Sequence, residues 1–182
     1  MTSTNKKDLE RLIKGLKDKN RKSQELVYQR YFGMMMSISN RYCENWDDAK
    51  EVVNSSFLKI FTKVENYAGK GSFEGWMKKI VVNTALDHIK SRKLDKVGFD
   101  DINQLEEDVF IENSADWEIN SEDIMKLVQS LPNATRAVFN MYIIEGYKHK
   151  EISEKLNISE GTSHWHLQNA RKLLKEKLTT YL

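Results

Sequence analysis

Pro132 is the only proline in 182 residues, and eight glycines accompany it. Sheets reverse direction through turns built largely from those two residues, so a chain this poor in them has few places to turn a strand back. In their place stand long stretches rich in Lys, Glu, Leu and Ile whose apolar residues recur near the helical period, the pattern of an all-helical protein. A hydrophobic content of 40% over this length suffices for one medium core or two small ones.

The distribution of charge favours two. Residues 1–93 carry 19 basic and 11 acidic side chains, residues 94–123 carry 1 and 11, and residues 124–182 carry 9 and 5, within an overall net charge of +2. The acidic stretch, LDKVGFDDINQLEEDVFIENSADWEINSED, has no sustained helical period and marks a boundary. The expected architecture is all-α, with two small helical domains, 1–93 and 121–182, joined by an acidic linker over 94–120. Within the linker, Phe99, Val109, Phe110, Ile111 and Trp117 fit a segment that docks on a neighbouring basic face and holds the domains in an autoinhibited form. They fit equally a flexible tether with incidental apolar residues. The two basic blocks match a phosphate-backbone ligand, although solvated Lys-rich helices have the same composition.

Cys43 is the only cysteine, which excludes an internal disulfide and a Cys-rich zinc site and fits a reducing cytoplasm, with Cys43 as a small buried hydrophobe. The first twenty residues are charged and lack a signal core, and no segment approaches the roughly eighteen apolar residues of a membrane span. A soluble chain is expected.

In the first block, Ser23 is expected to cap a helix through LVYQRYFGMMMSISNRYC. Asp47 or Asp48 is expected to cap a second, with Asp48 and Glu51 at capping-box spacing. A break over Tyr67–Ser72 precedes a third helix, capped by Ser72 and ending near Arg92. In the second block a helix from Ser121 to Ser130 is followed by one that Pro132 opens and Gly146 stops. A short helix over HKEISEKL, a turn at Asn157–Ser159 and a long last helix complete the chain.

The last two helices have the lengths and turn of a helix-turn-helix. Ile152, Leu156, Ile158, Leu167, Ala170 and Leu174 supply its apolar seam, and Asn157 tolerates the left-handed turn conformation. Thr162, Trp165, Asn169 and Lys172 project opposite Leu167, Ala170 and Leu174, free to enter a major groove. Ser159 and Gly161 open the helix where a phosphate can approach its N–H groups, and Arg171 adds charge. His164 and His166, two apart on a helix, point nearly opposite ways and are expected at the surface or at DNA edges and not on a metal.

The first block holds a second constellation. Tyr67, Phe73 and Trp76 surround the loop containing Lys70, and aromatic faces beside a flexible basic loop suit unstacked bases. Lys79, Asn83, Asp87 and Lys90 share one stripe of the next helix. The same residues also fit core aromatics beneath a loop and a solvated polar stripe.

Taken in order, DDAKEVVNSSFLKIFTKVENYAGKGSFEGWMKKIVVNTALDHIKSRK resembles region two of extracytoplasmic-function (ECF) sigma factors of the sigma-70 family. SLPNATRAVFNMYIIEGYKHKEISEKLNISEGTSHWHLQNARKLL resembles their region four. The wording YIIEGYKHKEIS and ISEGTSHWHL is similar to a Bacteroidetes-like branch. The resemblance implies a subunit that binds core RNA polymerase at its clamp and flap, opens the minus-ten element with region two and reads the minus-thirty-five element with region four. It implies no catalysis, cofactor, metal or small-molecule substrate, a cytoplasmic location and an anti-sigma partner. By position, Tyr67 and Asn83 would line a pocket for a flipped base, framed by Lys70, Ser72, Phe73 and Trp76. Asp48, Glu51, Asn54, Phe57 and Leu58 lie on the helix expected to face the clamp, although Phe57 and Leu58 also suit a core. Thr162, Ser163, His164, Trp165, Gln168 and Arg171 match the recognition helix. The chain departs from the family at Asn54-Ser55, where Gln and an acidic residue are usual, and at Lys148, where Ser or Thr often caps. The alternative is a helix-turn-helix regulator that binds duplex DNA without polymerase.

Overall fold

The computed structural model describes residues 3–93 and 121–180, and every element among them is helical. The acidic linker and its apolar residues lie outside the described residues. The chain divides into two compact units, 1–88 and 89–182.

The first unit begins with α1 (Ser3–Lys17), a helix not expected from the sequence, and continues with α2 (Arg21–Tyr42), α3 (Trp46–Lys63), a 3-10 turn (Val64–Asn66) and α4 (Phe73–Lys93), whose last turns run past the division between units. Between α1 and α2, Lys19 takes a left-handed conformation (φ 54°), and the amides of Lys19 and Asn20 donate to the carbonyls of Leu16 (3.0 Å) and Gly15 (2.9 Å). That pairing satisfies carbonyls which a helix end otherwise leaves open.

The cap of α2 is Asn20 and not Ser23: the Asn20 amide oxygen accepts from the Ser23 N–H at 3.0 Å. Ser23 already lies inside the helix, where its side chain cannot turn back to a later amide. A parallel correction applies at α3. Asn45 accepts from the Asp48 N–H (2.9 Å) and donates through its side-chain nitrogen to the Asp48 carboxylate (3.0 Å), so Asn45 and Asp48 form the reciprocal pair expected of Asp48 and Glu51. Asp47 and Asp48 occupy the first turn, where negative charge suits the helix dipole. Ser72 caps α4 as expected, accepting from the Gly75 N–H at 3.0 Å. Val27, Met35 and Tyr42 of α2, Val52, Phe57 and Ile60 of α3, and Met77, Val81 and Ala85 of α4 are all buried.

In the second unit α5 (Ser121–Gln129) leads through Pro132 to α6 (Asn133–Phe139), then α7 (His149–Leu156) and α8 (Glu160–Thr180). The helix expected to continue unbroken to Gly146 instead widens into a π turn over Asn140–Ile144, where the Glu145 amide reaches back five residues to the Asn140 carbonyl (3.0 Å). Gly146, at φ +74°, then ends it. Arg136 is buried, donating to the Gln129 carbonyl at the end of α5 (2.5 Å) and to the Asn133 side chain (2.7 Å). Val138, Met141, Ile152, Leu156, Leu167 and Ala170 form the core, while Ile158 and Leu174, expected there, are half-buried.

Candidate nucleic-acid interface

In the first unit the loop between the 3-10 turn and α4 is closed by its own residues. The Tyr67 hydroxyl donates to the Gly71 carbonyl at 2.9 Å, and Gly69 and Gly71 hold φ of 73° and 81°, conformations that an L side chain adopts at a cost. Tyr67, Phe73 and Trp76 do cluster, with ring centroids 5.3 to 5.6 Å apart. Their roles differ. Phe73 is 1% exposed and meets Tyr31 edge-on at 6.3 Å, so it is the buried support of the cluster and not one of its open faces. Tyr67 and Trp76 are half-buried, and Lys70 and Ser72 are exposed beside them.

Trp76, Lys79, Asn83, Asp87 and Lys90 fall within about a quarter of the circumference of α4. Lys79, Asn83 and Asp87 are exposed and Lys90 is half-buried. The Asp87 carboxylate accepts from Lys59 of α3 at 3.3 Å, an exposed pair of small energetic weight that nonetheless occupies one oxygen. Aromatic faces, an amide and a lysine thus follow one another along one surface, a set that can stack an unpaired base and read its edge.

The expected polymerase-facing residues separate into two groups. Asp48 and Phe57 are buried: Asp48 is held by Asn45, and Phe57 packs on Tyr28 (ring centroids 4.6 Å) and Phe61 (5.8 Å). Neither presents a surface. Glu51, Asn54 and Leu58 are exposed at spacings of three and four on α3, and Leu58 is 65% exposed. The Tyr28 hydroxyl donates to Asn54 at 3.2 Å, fixing that amide.

In the second unit the turn between α7 and α8 is the expected one. Asn157 has φ 56° and ψ 50°, and the Ile158 amide donates to the Ser153 carbonyl (3.1 Å), closing the end of α7. At its start the Lys148 amide donates to the Glu151 carboxylate at 2.9 Å, so a residue inside the helix gives the support that the Lys148 side chain lacks. Ser159 accepts from the Thr162 N–H (2.9 Å) and shares a 2.8 Å contact with its hydroxyl. One of the amides expected to face a phosphate is therefore taken. A side chain at Gly161 would meet only the Ser159 hydroxyl, at an ordinary 3.6 Å.

The outward face of α8 is rotated from the expected one. Ser163, His166, Leu167 and Ala170 are its buried stripe, and Gly161, His164, Gln168, Arg171, Lys172 and Lys175 are exposed. Thr162, Trp165 and Asn169 are half-buried along the flank. Ser163, matched to the recognition helix by resemblance, is fully buried and pairs with His149 Nδ1 at 2.8 Å. His166, expected at the surface, is buried with Nδ1 3.0 Å from the Thr135 hydroxyl. Polar residues with internal partners thus sit in a seam that the apolar pattern alone placed further round the helix. His149 went unnoticed in the sequence, although its spacing of three and seven from Ile152 and Leu156 puts it on their face.

Residues 27–94 match the Sigma-70 region 2 family and residues 121–174 match Sigma-70, region 4, together more than half of the chain. The chain belongs to the sigma-70 family of RNA polymerase sigma factors. Similar proteins include the ECF RNA polymerase sigma factor SigE of Mycolicibacterium smegmatis, 27% identical over 86% of this chain and 62% of that protein. The ECF RNA polymerase sigma-E factor of Escherichia coli is 25% identical over 93% of this chain and 92% of its own length. This sigma factor therefore spans about three-fifths of the mycobacterial relative and nearly all of the other, and the similarities support the ECF type. Its fold resembles that of the sigma factor RpoE from Bartonella quintana, solved in complex with the anti-sigma factor NepR, with a TM-score of 0.53, 16% identity and coverage of 85% and 96% of the two chains. No helix among the described residues is long and apolar enough to cross a membrane.

Proposed function

We propose that this sigma factor directs core RNA polymerase to two-part promoters, with domains at 1–93 and 121–182 and the residues between them as tether. The first unit captures one unpaired base of the nontemplate strand. Tyr67 and Trp76 supply the stacking faces, Asn83 reads the base edge, and Lys70, Ser72, Lys79 and Lys90 line the approach, with Phe73 beneath and Asp87 orienting Lys59. Stacking on an aromatic face is worth about 1–3 kcal/mol per base, comparable with the few kcal/mol needed to unstack one, so strand opening requires no ATP. Polymerase supplies the nucleotidyl transfer, and this subunit carries no catalytic residue, cofactor or metal.

The outward face of α8 reads the upstream element as duplex through His164, Gln168, Arg171 and Lys172, flanked by Thr162, Trp165 and Asn169. Ser159 and Gly161 lie at the phosphate-proximal end. Glu51, Asn54 and Leu58 face the polymerase clamp, and the second unit meets the flap. The complex of the Bartonella sigma factor with NepR supports an anti-sigma partner here too, the wording of region four supports a Bacteroidetes-like lineage, and membership of a family that acts on RNA polymerase supports cytoplasmic action.

The observation that carries this reading is the run from Tyr67 and Trp76 to exposed Asn83 along one face of α4. Asn83→Ala is expected to lower promoter opening about tenfold, the loss of one base-edge hydrogen-bond pair, while duplex contacts upstream persist. Permanganate probing of complexes with core polymerase measures the first and footprinting the second. Equal permanganate reactivity in the variant refutes the assignment.

A further inference from the structure

His149 lies on α7, away from the DNA-reading surface, yet it touches that surface through one ring. Its imidazole is stacked on His164, with centroids 3.6 Å apart and planes 26° from parallel. Its other face carries Tyr142 at 4.5 Å and 26°, from the π turn that comes after α6. Nδ1 is fixed by the Ser163 hydroxyl at 2.8 Å. His149 is thus held on both faces and at one edge, while His164 is exposed in the second turn of α8, the part of a recognition helix that meets base edges.

An exposed histidine ordinarily samples several rotamers, and ordering it on binding is unfavourable. Stacking on a ring that is itself immobile removes that disorder before DNA arrives, while His164 stays exposed. Two imidazoles in face contact cannot both carry charge without repulsion. Burial first, and then His164, hold His149 below the usual imidazole range, with Glu160 opposing and Arg171 reinforcing them. The inner ring therefore favours its neutral form, and the outer one stands exposed on α8.

We infer that His149 is a positioning residue for promoter selectivity, fixing the ring plane in which His164 contacts a base of the upstream element. The inference rests on the reading of α8 as the duplex-recognition helix.

The test is run-off transcription by the full-length chain with core polymerase on a promoter library randomised across the upstream element, with transcripts counted by sequencing. His164→Ala is expected to flatten the preference at one base pair or two adjacent ones. His149→Ala should flatten the same positions by about three- to tenfold, the effect of freeing one side chain, and leave the others unchanged. His149→Phe combined with Ser163→Ala keeps a ring in the stack, leaves no buried hydroxyl unpaired, and should restore the preference. If His149→Ala lowers all sequences alike, or leaves the profile of the wild type while His164→Ala flattens it, the positioning role is refuted and the reading of α8 stands. If His164→Ala changes nothing but Arg171→Ala does, the role is again refuted without touching that reading. If none of these variants alters the profile, both fail together.

Discussion

The turn that sets the angle between α7 and α8 depends on one side chain that tolerates a disfavoured backbone. Asn157 sits at φ 56° and ψ 50°, where an ordinary L-residue is strained by about 1–2 kcal/mol. Asn escapes part of that cost, so Asn157→Ala should destabilise the second unit by about 1 kcal/mol. Asn157→Val, with a branched Cβ facing the same carbonyl, should cost about 2 kcal/mol. Asn157→Gly relieves the strain but frees the unfolded chain by a similar amount, about 0.5–1 kcal/mol, and should be near neutral. For a unit of this size 1 kcal/mol corresponds to about 4–8 °C in Tm. Because the two units can melt separately, the suitable assay is amide hydrogen exchange at buried Ile152, Leu156 and Ala170. About 1 kcal/mol of local opening energy makes exchange roughly five times faster. Equal exchange in the Ala, Val and Gly variants would show that the turn is not left-handed and that the orientation of α8 has another origin.

Gly15 faces Ser23 so closely that a methyl there would lie 2.0 Å from its hydroxyl and 2.8 Å from its Cβ. Gly15→Ala is expected to destabilise the first unit by about 1–3 kcal/mol despite the better helix propensity of alanine, and Ser23→Gly in the same chain should recover most of it. Urea unfolding checks this, and a stabilised single variant refutes it. Leu58→Asp should leave stability within about 0.5 kcal/mol, as for other exposed sites, yet weaken binding to core polymerase about tenfold in fluorescence anisotropy. An unchanged affinity would remove Leu58 from the clamp surface. His149 also gives stability a pH dependence. Its folded pKa lies below the unfolded 6.5, so the unfolded chain takes up the proton first and stability of the second unit declines as pH falls through that value. The double variant His149→Phe with Ser163→Ala should lose this decline between pH 7.5 and 5.5, and an identical slope would refute it.

Features fixed within a few residues were legible from the sequence. The Ser72 cap, the bounds of α7 and the left-handed Asn157 each depend on local chemistry, and a turn or cap carries its own residue signature. The features that escaped depend on partners distant along the chain. The exception is α1: Leu9, Leu12, Ile13 and Leu16 recur at the i, i+3, i+4, i+7 spacing of an amphipathic helix, a legible signal overlooked among its charges. Missing α1 also displaced the α2 cap from Asn20 to Ser23. Phe57 and Leu58 are adjacent and equally apolar, and only packing on Tyr28 decides which is core. Ser163 and His166 read as surface residues because their partners, His149 and Thr135, are 14 and 31 residues away. The same error turned the expected outward face of α8 by part of a turn, enough to exchange half-buried Thr162, Trp165 and Asn169 for exposed Gln168 and Lys175.

The π turn at Asn140–Ile144 acts as a stored insertion. A helix that spends five residues where an ordinary one would close its hydrogen bonds in four holds one position of slack, and the residues on its two sides are out of phase by about 100°. Removing a single residue there would rewind the segment into regular helix and swing Tyr142 away from His149. For an engineer seeking a domain with a new groove-reading angle, shortening this turn by one residue changes more geometry than any side-chain replacement on α8.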